Sequence, residues 1–256
     1  MGSVSLPQRR AILTGGLVAT AAVMTGCSTK TESTAAPKAA AVVAATPSSS
    51  ADVPPQTPRA VFDRLLEGNE RWVAETLQRP DQNVDRRNSV AAEQKPYGVI
   101  VSCIDSRVPP ELVFDTGIGD LFAIRTGGQV VAPVVTGSVE YGPLTAGSPL
   151  IVVLGHQSCG AVKASYKALK EGKPLGGNLQ SIVEALRPAY EAISKERHAD
   201  PVDAMIRVHT KLTSAALRSN ASLAPLVKKR ELAVVSAYYS LDTGRVEVLD
   251  GRPSAA

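Results

Sequence analysis

Four short apolar runs constrain this chain more than any other feature: "YGVIVS" (residues 97–102), "LFAIR" (121–125), "LIVVL" (150–154) and "LAVVSAYY" (232–239). Each is short and apolar at successive positions, so the strand it forms has no face suited to water. Loop residues and a helical stretch follow each of the first three. Strands buried on both faces and alternating with helices specify an α/β fold, with a mostly parallel central sheet and helices on both faces. A last run, 245–249, follows the turn "LDTG". Too few residues separate it from its predecessor for a crossover, so it pairs antiparallel at the sheet edge. Ahead of the sheet, Thr57 can cap a helix that starts at Pro58, where the missing N–H costs nothing. Val61, Leu65, Leu66 and Trp72 recur along that helix at amphipathic spacing. The polar stretch "RPDQNVDRRN" then reads as a linker to the first strand.

The chain has 256 residues, of which 44% are hydrophobic. That is enough for one globular domain, expected over residues 57–256. Net charge is +4, and no stripe of Lys and Arg is interleaved with aromatics. No nucleic-acid partner is expected. The first 27 residues have a different character. Arg9 and Arg10 precede a mildly apolar, Gly-containing run that ends at Met24-Thr25-Gly26-Cys27. The run is short for a membrane span of about 20 residues, and the paired arginines read as a twin-arginine export signal. Its ending resembles a bacterial lipobox with Cys27 as the lipidated residue, although a buried N-terminal helix with an inert thiol is the plainer alternative. Residues 28–56 are rich in Ala, Ser, Thr and Pro and read as a disordered tether. The expected location is the outer face of a bacterial cytoplasmic membrane, reached by the lipid anchor alone.

Parallel sheets place their chemistry at the carboxyl ends of the strands. In "VIVSCIDSRVPPELVF" the first strand ends at Cys103, with Asp105, Ser106 and Arg107 directly behind it. In "VVLGHQSCGAVKA" the third strand ends at His156, and Cys159 opens the next helix, where free N–H groups favour a thiolate. Two thiolates and an imidazole suit zinc, and three protein ligands leave a fourth tetrahedral place open for chemistry. A Cys103–Cys159 disulfide is the competing reading. It leaves His156 and the Asp105–Arg107 pair unexplained.

"CIDSR" followed by "GHQSCGA" resembles the β-class carbonic anhydrases. The resemblance extends through "RLLEGNERW", "EQKPYGVIVSCIDSRVPPELVFDTGIGDLFAIRTGG", "SVEYG" and "LIVVLGHQSCGAV", in the order found in that family, over residues 58 to 166. Gln129 departs from the Asn common at its place. The resemblance implies reversible hydration of CO2 to bicarbonate and a proton by zinc-bound hydroxide, with zinc held by Cys103, His156 and Cys159. Asp105 and Arg107 form the dyad beside it, and Asp105 is a possible fourth ligand in a closed state. Gln94, Phe122 and Tyr141 are implied as substrate-binding residues, with Gln94 reaching across a subunit interface. A homodimer or dimer of dimers follows, with the N-terminal helix used in dimerisation. His198 and His209 stand in no motif, and either could at most relay protons. The alternatives are hydrolysis of carbon disulfide or carbonyl sulfide on the same scaffold, or a zinc-binding lipoprotein without turnover. Export through the twin-arginine route carries proteins already folded, so a metal loaded beforehand would shield both thiolates.

Overall fold

The computed structural model describes residues 55–254. The export signal, Cys27 and all of the expected tether except Pro55 and Gln56 lie outside the described residues. The first helix begins where the sequence predicts. Helix α1 spans Pro58–Val73, with Thr57 as its cap and its hydroxyl accepting from the Ala60 N–H at 3.2 Å. A short helix α2, Val84–Ser89, occupies the stretch read as a linker. Asn83 caps it by accepting the Arg86 N–H at 2.8 Å. Buried Asp115 pins the chain ahead of it, taking the Arg71 guanidinium at 2.6 Å and the N–H groups of Gln78 and Arg79 at 3.0 and 2.9 Å. The stretch is polar because it is strapped to buried carboxylates.

Strand β1, Gly98–Cys103, is followed by α3, Pro110–Val113, and β2, Leu121–Thr126. Helix α4, Pro133–Tyr141, leads to β3, Leu150–His156. Three longer helices come next: α5, Gly160–Glu171, α6, Leu179–Ile193, and α7, Pro201–Ser219. Then come α8, Ala224–Lys228, β4, Ala233–Tyr239, and β5, Val246–Asp250. The sheet order is β2-β1-β3-β4-β5, parallel throughout except for the β4–β5 pair. The antiparallel edge therefore lies where the short "LDTG" turn requires it.

One sheet face presents Ile100, Val152, Leu154, Val235 and Ala237, and α1 covers it with Val61, Phe62 and Leu65. Each such buried side chain contributes about 1.5–3 kcal/mol. The apolar stripe of α1 is thus used within its own chain, so a contact with a second copy has to engage its other faces. The opposite sheet face, Val99, Val101, Ile151 and Val153, packs beneath Val139 of α4 and Leu217 of α7.

Two residues explain the "EGN" of α1. A Cβ at Gly68 would sit 1.8 Å from the Phe114 carbonyl oxygen, so only glycine admits that crossing. Asn69 is buried. Its amide donates to the carbonyls of Val113 at 3.1 Å and Gly244 at 2.8 Å, and its oxygen accepts from the Val246 N–H at 2.8 Å. One side chain therefore ties α1 to the end of α3 and to the β4–β5 turn. Asn69→Leu strands three backbone groups away from water, and we expect it to destabilise the domain by about 3 kcal/mol. A loss of unfolding free energy in urea titration of less than about 1 kcal/mol would show that the three bonds matter little.

Candidate metal centre

The chain leaves β1 towards β2 on one side and leaves β3 towards β4 on the other. The crevice between the carboxyl ends of β1 and β3 is therefore the switch point of the sheet, where open α/β folds form their sites. The register sets Ser102 level with Leu154, so Cys103 and His156 emerge side by side just beyond the last pair. The turn after His156 is held by the Gln157 N–H, which donates to the Tyr239 carbonyl at 2.9 Å, and by the Gln157 amide on Asp242 at 2.6 Å. Ser158 adopts a left-handed φ of 54°, a conformation that costs a non-glycine residue about 1–2 kcal/mol. That bend delivers Cys159 as the N-cap of α5.

The three ligand atoms lie within 4.8 Å of one another, and all three residues are buried. Cys103 Sγ and Cys159 Sγ are 3.8 Å apart and both thiols are free, so the disulfide reading does not describe this structure. Two sulfurs each about 2.3 Å from one zinc ion at tetrahedral angles would stand about 3.8 Å apart. His156 Nδ1 is 2.9 Å from the Gln157 carbonyl oxygen, which assigns the proton to Nδ1. Nε2 is left as a buried lone pair with no hydrogen-bond partner. A histidine fixed by one nitrogen and unpartnered at the other is the usual form of a metal ligand.

The electrostatics agree. Cys103 is drawn down to about 4, first by the hydrogen bond from the Cys159 thiol and further by donors that include the Gly128 N–H, 3.3 Å from its sulfur. Cys159 is pushed well above the ordinary thiol range, by that same bond and by burial. The pair holds one thiolate readily and a second only at great cost. A divalent cation removes that cost, because it deprotonates coordinating thiols outright. The donor set therefore fits a zinc ion.

Asp105 stands beside this cluster, its Oδ2 4.0 Å from His156 Nε2. Arg107 grips it three times: through its backbone N–H at 3.0 Å, through Nε at 2.8 Å, and through Nη2 at 2.8 Å. Those bonds hold the Asp105 carboxyl down to about 2. Arg125 completes the frame, its Nε donating to the Cys103 carbonyl at 2.8 Å and its Nη2 to the Asp105 carbonyl at 2.5 Å. Sequence reasoning missed Arg125. The signal was present as a lone charge ending the apolar run "LFAIR".

The remaining expected residues lie elsewhere in the chain. The Phe122 and Tyr141 rings pack edge to face at 5.8 Å and line an open groove of about 450 Å³ at the β2 edge. Phe122 pairs with Val99, four positions and about 13 Å short of the strand end where the ligands meet. Gln94 is exposed just ahead of β1, at the amino end of the sheet. Within one chain, none of the three reaches the Cys–His cluster. His198 is half-buried between α6 and α7, and His209 is buried on α7. Burial lowers His209 to about 4, so near neutral pH its ring is uncharged.

Known proteins resemble this chain in sequence and in fold. A sequence model of the family described as carbonic anhydrase matches residues 98–246. Carbonic anhydrase 2 of Mycobacterium tuberculosis is 41% identical over 199 residues, which are 77% of this chain and 96% of that protein. A carbonic anhydrase of Mycolicibacterium smegmatis is 39% identical over 197 residues, 77% of this chain and 95% of its own. In fold, the chain is similar to a structure described among two tetrameric β-carbonic anhydrases from Sordaria macrospora. That likeness has a TM-score of 0.59 and 22% identity, covering 74% of this chain and 97% of that one.

Proposed function

From the premise that the chain belongs to the carbonic anhydrase family and catalyses the reversible hydration of CO2, we propose that Cys103, His156 and Cys159 hold zinc and that Asp105 and Arg107 direct the reacting water. The observation that carries this reading is the meeting of two thiols and an unpartnered imidazole nitrogen beside an arginine-clamped carboxylate. Zinc in such a set supplies a bound water whose pKa falls from near 15.7 towards neutrality. Thiolates return charge to the ion, so two of them acidify that water less than imidazoles would, and a carboxylate acceptor close by becomes more useful. Asp105 is that acceptor. Held ionised by Arg107, it would accept a hydrogen bond from the hydroxide left once that water has given a proton to solvent buffer, and would turn the free lone pair of that oxygen towards the carbon of CO2. Arg107 fixes the direction of Asp105 and keeps it off the cation, where it would otherwise serve as a fourth ligand.

A second copy of the chain is part of this proposal. β2 is paired on one side only, and Val134 and Tyr141 beside it are 79% and 51% exposed. An unpaired strand edge with an apolar rim favours association. A homodimer or dimer of dimers formed there would bring Phe122, Tyr141 and Gln94 towards a partner's substrate pocket. The export signal and the lipid on Cys27 complete the reading. The Arg9–Arg10 pair and the Cys27 context support it.

Two outcomes follow. Arg107→Ala should reduce CO2 hydration at least a hundredfold while one zinc per chain stays bound, as stopped-flow assay and metal analysis would record. Retained turnover with lost zinc would overturn the assignment of roles. In a host with twin-arginine export, the full chain should fractionate with the membrane and carry a lipid on Cys27 by mass spectrometry, and Cys27→Ala should release it. A soluble chain with an unmodified Cys27 would remove the anchor.

A further inference from the structure

Against Cys103 the chain makes a tight turn at Gly127–Gln129. Gly128 and Gln129 are both left-handed, with φ of 66° and 47°. The first is glycine, for which this costs little. The second is not, and its conformation has to be held by its surroundings. This turn carries the Gly128 N–H that donates to Cys103 Sγ at 3.3 Å. Whatever holds the turn therefore sets how that donor meets the thiolate.

Thr210 of α7 holds it. Gln129 is wholly buried, and its Nε2 donates to Thr210 Oγ1 at 3.1 Å. Thr210 in turn donates to the Ile206 carbonyl at 2.8 Å, so its hydroxyl is oriented to accept from Gln129. The latch also reaches β3. A Cβ on Gly155 would stand 2.3 Å from Thr210 Oγ1 and 3.3 Å from Gln129 Nε2, so the residue before His156 has to be glycine for the latch to close.

We propose that Thr210 and Gln129 form a buried polar latch that positions the Gly128 N–H on the Cys103 sulfur, and are positioning residues for the metal-binding thiolate. An N–H aimed at a coordinating sulfur withdraws charge from it and fixes its direction. Groups of this kind around a metal typically change affinity by about 10–100-fold when lost. The latch explains why α7, which supplies no ligand, presents the buried hydroxyl of Thr210 to Gln129. The metal part of the proposal rests on the zinc reading above. The conformational part does not.

The test is Thr210→Val in the full chain, which keeps the side-chain shape and removes the acceptor for the Gln129 amide. We expect amide exchange at Gly128 to quicken at least tenfold and zinc affinity to fall about tenfold or more. The sulfur-to-metal charge-transfer band of the cobalt-substituted protein should shift. Thr210→Ser, which restores the hydroxyl, should return all three readings to those of the parent. A folded Thr210→Val protein that matches the parent within twofold in exchange and affinity, with an unshifted band, would overturn the latch. If that variant does not fold, Gln129→Met, of similar length without the amide, replaces it, and the same changes or their absence decide the matter. A parent protein that binds neither zinc nor cobalt would contradict the metal reading, and Gly128 exchange would still decide the latch.

Discussion

Two buried sulfurs 3.8 Å apart cannot both carry charge without a cation between them. Much of the structure around the site follows from that constraint. The chain brings Cys103 and Cys159 to this separation from opposite sides of the sheet's switch point. It leaves His156 with one lone pair facing the gap, and each participant is fixed from behind by backbone groups. The Gln157 carbonyl fixes the imidazole, the Gly128 N–H addresses one sulfur, and the start of α5 presents the other. The arrangement is costly for an empty protein and favourable for one that holds a divalent ion.

The same constraint separates two kinds of charge at the site. The sulfurs are enclosed, whereas the Asp105–Arg107 pair sits at the mouth, with Arg107 more than half exposed. A carboxylate placed there and held ionised by its own guanidinium is available to a reacting water without being drawn into the ligand set. Arg125 reinforces the division by bonding the carbonyls of both Cys103 and Asp105, so that the thiol and the carboxylate move as one unit.

The meeting of Cys103, His156 and Cys159 and the Asp105–Arg107 pair were legible in the sequence because each sits where an apolar run stops, and a strand end in a parallel sheet is the natural place for chemistry. The five strands were legible for the same reason, to within a residue or two at each end. Other features depend on long-range partners that no local pattern reveals. The stretch before β1 looked like a linker because its polar residues answer to Asp115 and Asp120, which lie more than twenty positions later. Gln129 looked incidental because Thr210, its partner, lies 81 positions away. Phe122 and Tyr141 are neighbours of each other but not of the ligands, since β2 runs about 13 Å from one to the other. An aromatic on a strand does not announce which end of the strand, or which copy of the chain, it serves.

The measurement that bears most directly on the account is CO2 hydration by stopped flow on the full chain, as zinc is added back to metal-free protein over about pH 6.5 to 9. Turnover should rise in proportion to zinc, level off at one ion per chain, and increase with pH as the metal-bound water loses its proton. Turnover that ignores zinc, or a fully loaded protein that hydrates no CO2 at any pH, would contradict it.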